Sequence, residues 1–185
     1  MEIEIKFLDV KPQEIEEKLQ QLGAKKVYDE ILEEWLFKKP EWLPIGGRVR
    51  IRKGNHKIEL AYKETTKKTS EGNPEIEFAI DNAESAKMFL EKLDVPMVRY
   101  QQKRRIHYKL DNVAIDIDFW PLIPPMIEIE GETLEKIKVV AAKLGLKQET
   151  AIDVLQIHQE IYGINLSKVK EMMFTKEQLE KYAKA

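Results

Sequence analysis

The chain has 185 residues and no cysteine, which excludes disulfides, thiolate metal sites and cysteine nucleophiles. Its 31 basic and 33 acidic residues nearly cancel, leaving a formal net charge of −2, so there is no global basic field to drive sequence-blind nucleic-acid binding. Charged residues still make up 35% of the chain, and this excess of both signs must decorate the surface or fill a polar interior.

The length fits a single domain, residues 1–185, with a substantial core. In chain order, Glu2-Ile3-Glu4-Ile5-Lys6 alternates charge with isoleucine, as a strand does. Lys11 to Leu22 has helical spacing at Ile15, Leu19 and Leu22, with Pro12 in the first turn and Gly23 as a stop. Val27 to Lys38 reads as a strand, and Pro40 to Gly47 as a loop. Arg48 to Arg52 and Lys57 to Lys63 form a hairpin around Lys53-Gly54-Asn55-His56. Glu64 to Asn73 is polar, and Glu75 to Ile80 alternates again.

Asp81 or Asn82 caps a helix running to about Leu93. Strands follow at Val98 to Leu110, Val113 to Phe119 and Met126 to Glu130, with an irregular proline-rich link at Trp120 to Pro125. Thr133 caps a helix ending at Gly145. Thr150 to Tyr162 and Lys168 to Lys184 read as two more helices. No apolar run approaches the roughly 18 residues that cross a bilayer, and charges at residues 2, 4 and 6 argue against a signal peptide. The expectation is a soluble cytoplasmic protein.

The strands share an unusual pattern. Glu2, Glu4 and Lys6 lie on one face, as do Arg48, Arg50 and Arg52, then Glu59 and Lys63, Glu75 and Glu77, Lys103 and Arg105, Asp116 and Asp118, and Glu128 and Glu130. The alternate positions are mostly Ile, Val, Phe or Leu. A solvated polar face accounts for any one such strand, and cross-strand ion pairs also give period two. Recurrence on so many strands argues for a sheet whose aliphatic face meets helices and whose charged face lines a lumen. Clustered Lys and Arg suit phosphate oxygens, and clustered carboxylates suit Mg²⁺ or Mn²⁺.

Glu2-x-Glu4-x-Lys6 with Arg50-x-Arg52, Lys63, Glu75-x-Glu77, Lys103-x-Arg105, Asp118 and Glu128-x-Glu130 resembles the CYTH, or triphosphate tunnel metalloenzyme, superfamily. Asp118 to Gly131 is similar to its class IV adenylyl cyclase-like branch. The resemblance implies an α+β fold: a closed eight-stranded antiparallel β-barrel, or tunnel, over about residues 1–165, with flanking helices and a helical extension over about 166–185. It implies phosphate binding by Lys6, Arg50, Arg52, Lys63, Lys103 and Arg105. It implies Mg²⁺ or Mn²⁺ held by Glu2, Glu4, Glu128 and Glu130 with Asp118 close by, and a catalytic set of Glu2, Glu4, Lys6, Glu128 and Glu130. Glu75 and Glu77 support in a role the resemblance leaves open, and Arg48 and Asp116 are second-tier positions.

The activity implied is metal-dependent hydrolysis of a triphosphate, either inorganic tripolyphosphate or a nucleoside or thiamine triphosphate. The alternatives are a class IV adenylyl cyclase making cyclic AMP and pyrophosphate from ATP, and a non-catalytic polyphosphate-binding module. The partner is a small-molecule triphosphate, without nucleic acid or membrane, and the branch resemblance implies a homodimer. Other residues take plainer readings: His56 exposed in a turn, His107 in phase with Lys103 and Arg105, His158 structural, Trp35, Trp42 and Trp120 packing, and Met172-Met173-Phe174 packing.

Overall fold

The computed structural model describes residues 3–38, 47–64, 75–150 and 152–182. Glu2 and Trp42 lie outside them. The strands are β1 (Ile3–Phe7), β2 (Lys25–Phe37), β3 (Arg48–Lys53), β4 (Ile58–Lys63), β5 (Glu75–Ala79), β6 (Met97–Leu110), β7 (Val113–Phe119), β8 (Met126–Gly131), β9 (Glu149–Thr150) and β10 (Glu171–Met172). The helices are α1 (Pro12–Gln21), α2 (Ala83–Lys92), α3 (Leu134–Leu144), α4 (Val154–Gln156) and α5 (Lys176–Tyr182). Alpha helix 4 runs on as a π-helical turn, Ile157–Ile161, so the helix expected from Thr150 is shorter and underwound at its end. The helix expected from Lys168 is interrupted by β10 and survives only as α5.

Most signals worked as local chemistry dictates. Asn82 and Thr133 accept hydrogen bonds from the Ser85 and Lys136 amides and cap α2 and α3. Gly145 closes α3 in the left-handed conformation, φ 73°, where a Cβ is strained.

The described chain divides into two compact units. One takes in the residues before Ile31 and those from Arg104 to Ile164; the other takes in Ile31 to Lys103 and the chain from Asn165 onward. The hydrogen-bonded strand order is β5-β4-β3-β2-β6-β7-β8-β1-β9, with β10 on β6. Strands β1 and β8, β1 and β9, β2 and β3, β3 and β4, β4 and β5, β6 and β7, and β7 and β8 pair antiparallel, whereas β10 runs parallel to β6. The fold is therefore α+β with a mainly antiparallel sheet. The order has two ends, so hydrogen bonds among the described residues do not close it into a barrel.

Each unit buries an aliphatic strand face under helix. In the first, Ile5, Phe7, Ile106, Ile115, Ile117, Ile127 and Ile129 pack with Ile15 and Leu19 of α1 and Ile137, Val140 and Leu144 of α3. In the second, Trp35, Phe37 and Ile51 pack with Ala83 and Leu90 of α2. Period two then puts the charged side chains on the opposite face.

Ile129 is fully buried at the centre of the first core. Ile129→Ala is expected to cost about 2–5 kcal/mol through lost burial and a residual cavity, read as a lower urea midpoint at unchanged slope. A change below about 0.5 kcal/mol would show that this face is not packed as described.

Candidate functional site: two buried charge clusters

In the first unit, register builds one polar row across four strands. His107 of β6 stands opposite Asp116 of β7, Asp116 opposite Glu128 of β8, and Glu128 opposite Lys6 of β1. Glu4 stands opposite Glu130, and Arg105 opposite Asp118. The side chains meet accordingly. Lys6 bonds Glu4 and lies 3.9 Å from Glu128. Arg105 donates through Nε and Nη2 to the two oxygens of Asp118, at 2.7 and 2.6 Å. It also reaches Asp116 through Nη1 and Glu128 through Nη2, each at 2.5 Å. His107 Nδ1 lies 2.5 Å from Asp116 Oδ1 and its ring stacks on Tyr28, centroids 5.0 Å apart.

Lys6, Arg105, Asp116 and Asp118 are all at most 8% exposed, and for Lys6, Arg105 and Asp116 burial alone disfavours the charged form. For Lys6 and Arg105 the neighbouring carboxylates outweigh that cost and hold the cations above their ordinary pKa. Burial likewise pushes Asp116 up, but Arg105 and His107 overcome it and the carboxyl sits low.

The second unit holds a different balance. Glu34 of β2 is 2% exposed. Its Oε1 accepts from Arg52 Nε at 2.8 Å and lies 3.9 Å from Arg50 Nη1, and its Oε2 accepts from Gln101 Nε2 at 2.7 Å. Arg50 Nη2 also lies 3.4 Å from both Glu75 and Glu77, and Lys63 lies 3.2 Å from Glu75. Burial raises the Glu34 pKa, but Arg52, Arg50 and Lys103 outweigh it and hold the carboxyl well below its usual range. Arg50 shows the reverse: burial and the like charge of Arg52 push it down to about 10. Arg50 Nε is buried with no hydrogen-bond partner among the described residues. Glu59, buried on β4, and Glu77 form a carboxyl pair. Burial tends to raise both, and mutual contact leaves Glu77 raised while Lys57 and Arg52 leave Glu59 lowered.

The structure thus brings Glu4, Lys6, Arg105, Asp118, Glu128 and Glu130 onto adjacent strands of one unit. It brings Arg50, Arg52, Lys63, Glu75, Glu77 and Lys103 into the other. Glu2 lies outside the described residues. The carboxylates are oxygen donors suited to a hard cation, and Glu4 and Glu130 face one another across β1 and β8. As they stand among the described residues, no three acidic or imidazole groups converge on one point. Sequence reading passed over Glu34 and Gln101. Each had a signal: Glu34 interrupts the apolar series Leu32, Leu36 on its strand face, and Gln101 is in phase with Lys103 and Arg105.

The remaining readings fall into place. His56 is exposed, Trp35 and Trp120 are buried, and so are Met172 and Phe174, though Met173 is exposed. His158 is wholly buried, bonded at Nδ1 to the Val154 carbonyl and set edge-on to Trp120. No helix among the described residues is long and apolar enough to cross a membrane.

A pH dependence follows from Glu34. Its folded pKa is depressed, so its contribution is present above the unfolded value, near 4.5, and is lost as pH falls through the folded value. The urea midpoint is expected to fall from about pH 5 downward. Glu34→Gln is expected to start lower at neutral pH, because Arg50 and Arg52 lose the buried anion they share, and to fall less steeply. Parallel pH profiles for the two proteins would refute the assignment.

A CYTH domain model matches residues 1–171, and no curated protein matches the chain. The PH1012 protein from Pyrococcus horikoshii OT3 is 31% identical, with a TM-score of 0.74, covering 84% of this chain and 98% of that one. A conserved hypothetical protein from Pyrococcus furiosus is 28% identical, with a TM-score of 0.73, covering 84% and 99%. The adenylyl cyclase-like HpAC1 from Hippeastrum, whose dominant activity is that of a triphosphatase, shares the fold at 18% identity and a TM-score of 0.61, covering 89% and 96%. The family model spans nearly the whole chain and both charge clusters sit on the strands it covers, so the chain belongs to the CYTH domain family.

Proposed function

We propose that the protein is a divalent-metal-dependent triphosphatase, with inorganic tripolyphosphate or a nucleoside or thiamine triphosphate as substrate. The observation that carries this reading is Arg50: a buried guanidinium beside a second one, Arg52, with a donor left over. Arg50 meets its carboxylates at long range, 3.4 Å to Glu75 and Glu77 and 3.9 Å to Glu34, and keeps a buried donor unbonded among the described residues, so its guanidinium is suited to take up a phosphoryl oxygen. Lys63 and Lys103 extend the cationic set in that unit, and Lys6 and Arg105 supply it in the other. The closed eight-stranded tunnel implied by the family resemblance is part of this proposal.

In this reading the lysines and arginines bind phosphoryl oxygens and stabilise the charge that shifts onto them during transfer. Glu4, Glu128 and Glu130, with Glu2, hold Mg²⁺ or Mn²⁺. The metal supplies charge neutralisation at the phosphate and an activated water. Asp118, both of whose oxygens are engaged by Arg105, keeps that guanidinium oriented. Glu4 and Glu128 hold Lys6 in place until an anion and a cation compete for the pair.

Incubation of the protein with Mg²⁺ or Mn²⁺ and either tripolyphosphate or ATP is expected to release orthophosphate. Cyclic AMP from ATP would replace this reading with the cyclase, and tight binding without turnover would replace it with a binding module. Glu4→Ala is expected to lower kcat about a hundredfold with cooperative unfolding retained. Lys6→Ala is expected to weaken tripolyphosphate binding about tenfold. Unchanged kinetics in both variants would overturn the site.

A further inference from the structure

The N-terminal half of β6 has an edge that β7 does not cover, since pairing with β7 begins only at Arg104. The C-terminal segment fills it. Glu171 and Met172 of β10 run parallel to Tyr100 and Gln101, and the Tyr100 amide donates to the Lys170 carbonyl at 2.9 Å. Arg99 donates to the Val169 and Leu166 carbonyls at 3.0 and 2.5 Å. The Phe174 amide donates to Gln102 Oε1 at 3.2 Å. Leu166, Met172 and Phe174 are buried. The family match ends at residue 171, so Met172, Phe174 and α5 lie beyond it.

Gln101, clamped by this segment, is itself 2% exposed and points its amide at Glu34. Glu34 has two oxygens to distribute. With Oε2 taken by Gln101, Oε1 is left for Arg52 and Arg50. Without that second partner Oε2 is left unsatisfied in the interior and nothing fixes the carboxylate about its broad terminal torsion, so Oε1 is no longer held toward Arg52 Nε. The Arg52 guanidinium would then lose the acceptor that sets its direction.

We propose that Gln101 and Glu34 are positioning residues for the phosphate-binding arginines, and that the C-terminal segment holds Gln101 in place as a clamp. The inference rests on the triphosphate reading for its functional consequence, but the positioning itself has a ligand-free readout. The path is Met172 to the Gln101 backbone, the Gln101 amide to Glu34, and Glu34 to Arg52.

The test is a double-mutant cycle on the full chain with Gln101→Leu and Met172→Asp. Should Met172→Asp lose cooperative unfolding, Arg99→Met, which releases the same segment, takes its place. Each single variant is expected to weaken tripolyphosphate binding about tenfold, and the double variant no further, because both act through one hydrogen bond to a charged group. The Arg52 Nε–H proton resonance is expected to exchange slowly in the native protein and quickly in both variants. Additive losses, unaltered affinity, or a resonance that persists in both variants would overturn the clamp. A native protein that binds no tripolyphosphate, yet shows the resonance and its loss, would overturn the triphosphate reading and leave the positioning standing.

Discussion

Charge withdrawn from water must meet its opposite within a few ångströms, and that requirement organises both units of this protein. In the first unit Arg105 is the pivot. It is almost fully buried, and three carboxylates from two neighbouring strands close around it. A single carboxylate does not repay the desolvation of a buried guanidinium, and removing one partner of such a set leaves an uncompensated charge. Lys6 repeats the logic at lower intensity between Glu4 and Glu128.

The second unit solves the same problem from the opposite side. There one buried carboxylate, Glu34, serves two arginines, and Glu75 and Glu77 complete the neutralisation from a more exposed strand. The balance is looser. Arg50 keeps an unsatisfied buried donor and a lowered pKa, whereas Arg105 is raised. Arg50 thus stands farther from its carboxylates than Arg105 does from Asp116, Asp118 and Glu128.

Helices make this arrangement affordable in the structural sense. Alpha helices 1 and 3 cover the isoleucine face of one unit, and α2 covers the aromatic face of the other. With the aliphatic side committed to the core, strand pleat leaves the charged side no alternative position. A one-residue slip of β8 would carry Glu128 and Glu130 into the isoleucine core and Ile127 and Ile129 out of it. Hydrophobic register therefore enforces the electrostatic register, down to the row His107, Asp116, Glu128, Lys6.

The alternation of Glu2, Glu4 and Lys6 with isoleucine, repeated from Arg48 to Glu130, determined the strands, their faces and the family. Alternation is a local, period-two property, and helix caps such as Asn82 and Thr133 are equally local. Tertiary structure alone decided which charge answers which. Register sets Asp118 opposite Arg105, and Glu34 reads as one acid among many until Arg52 and Gln101 converge on it. For the same reason the helix expected over Lys168 to Lys184 forms, among the described residues, only at Lys176–Tyr182. Glu171 and Met172 become a strand only because β6 offers them an open edge, and pairing with a partner remote in sequence outweighs a local preference for helix.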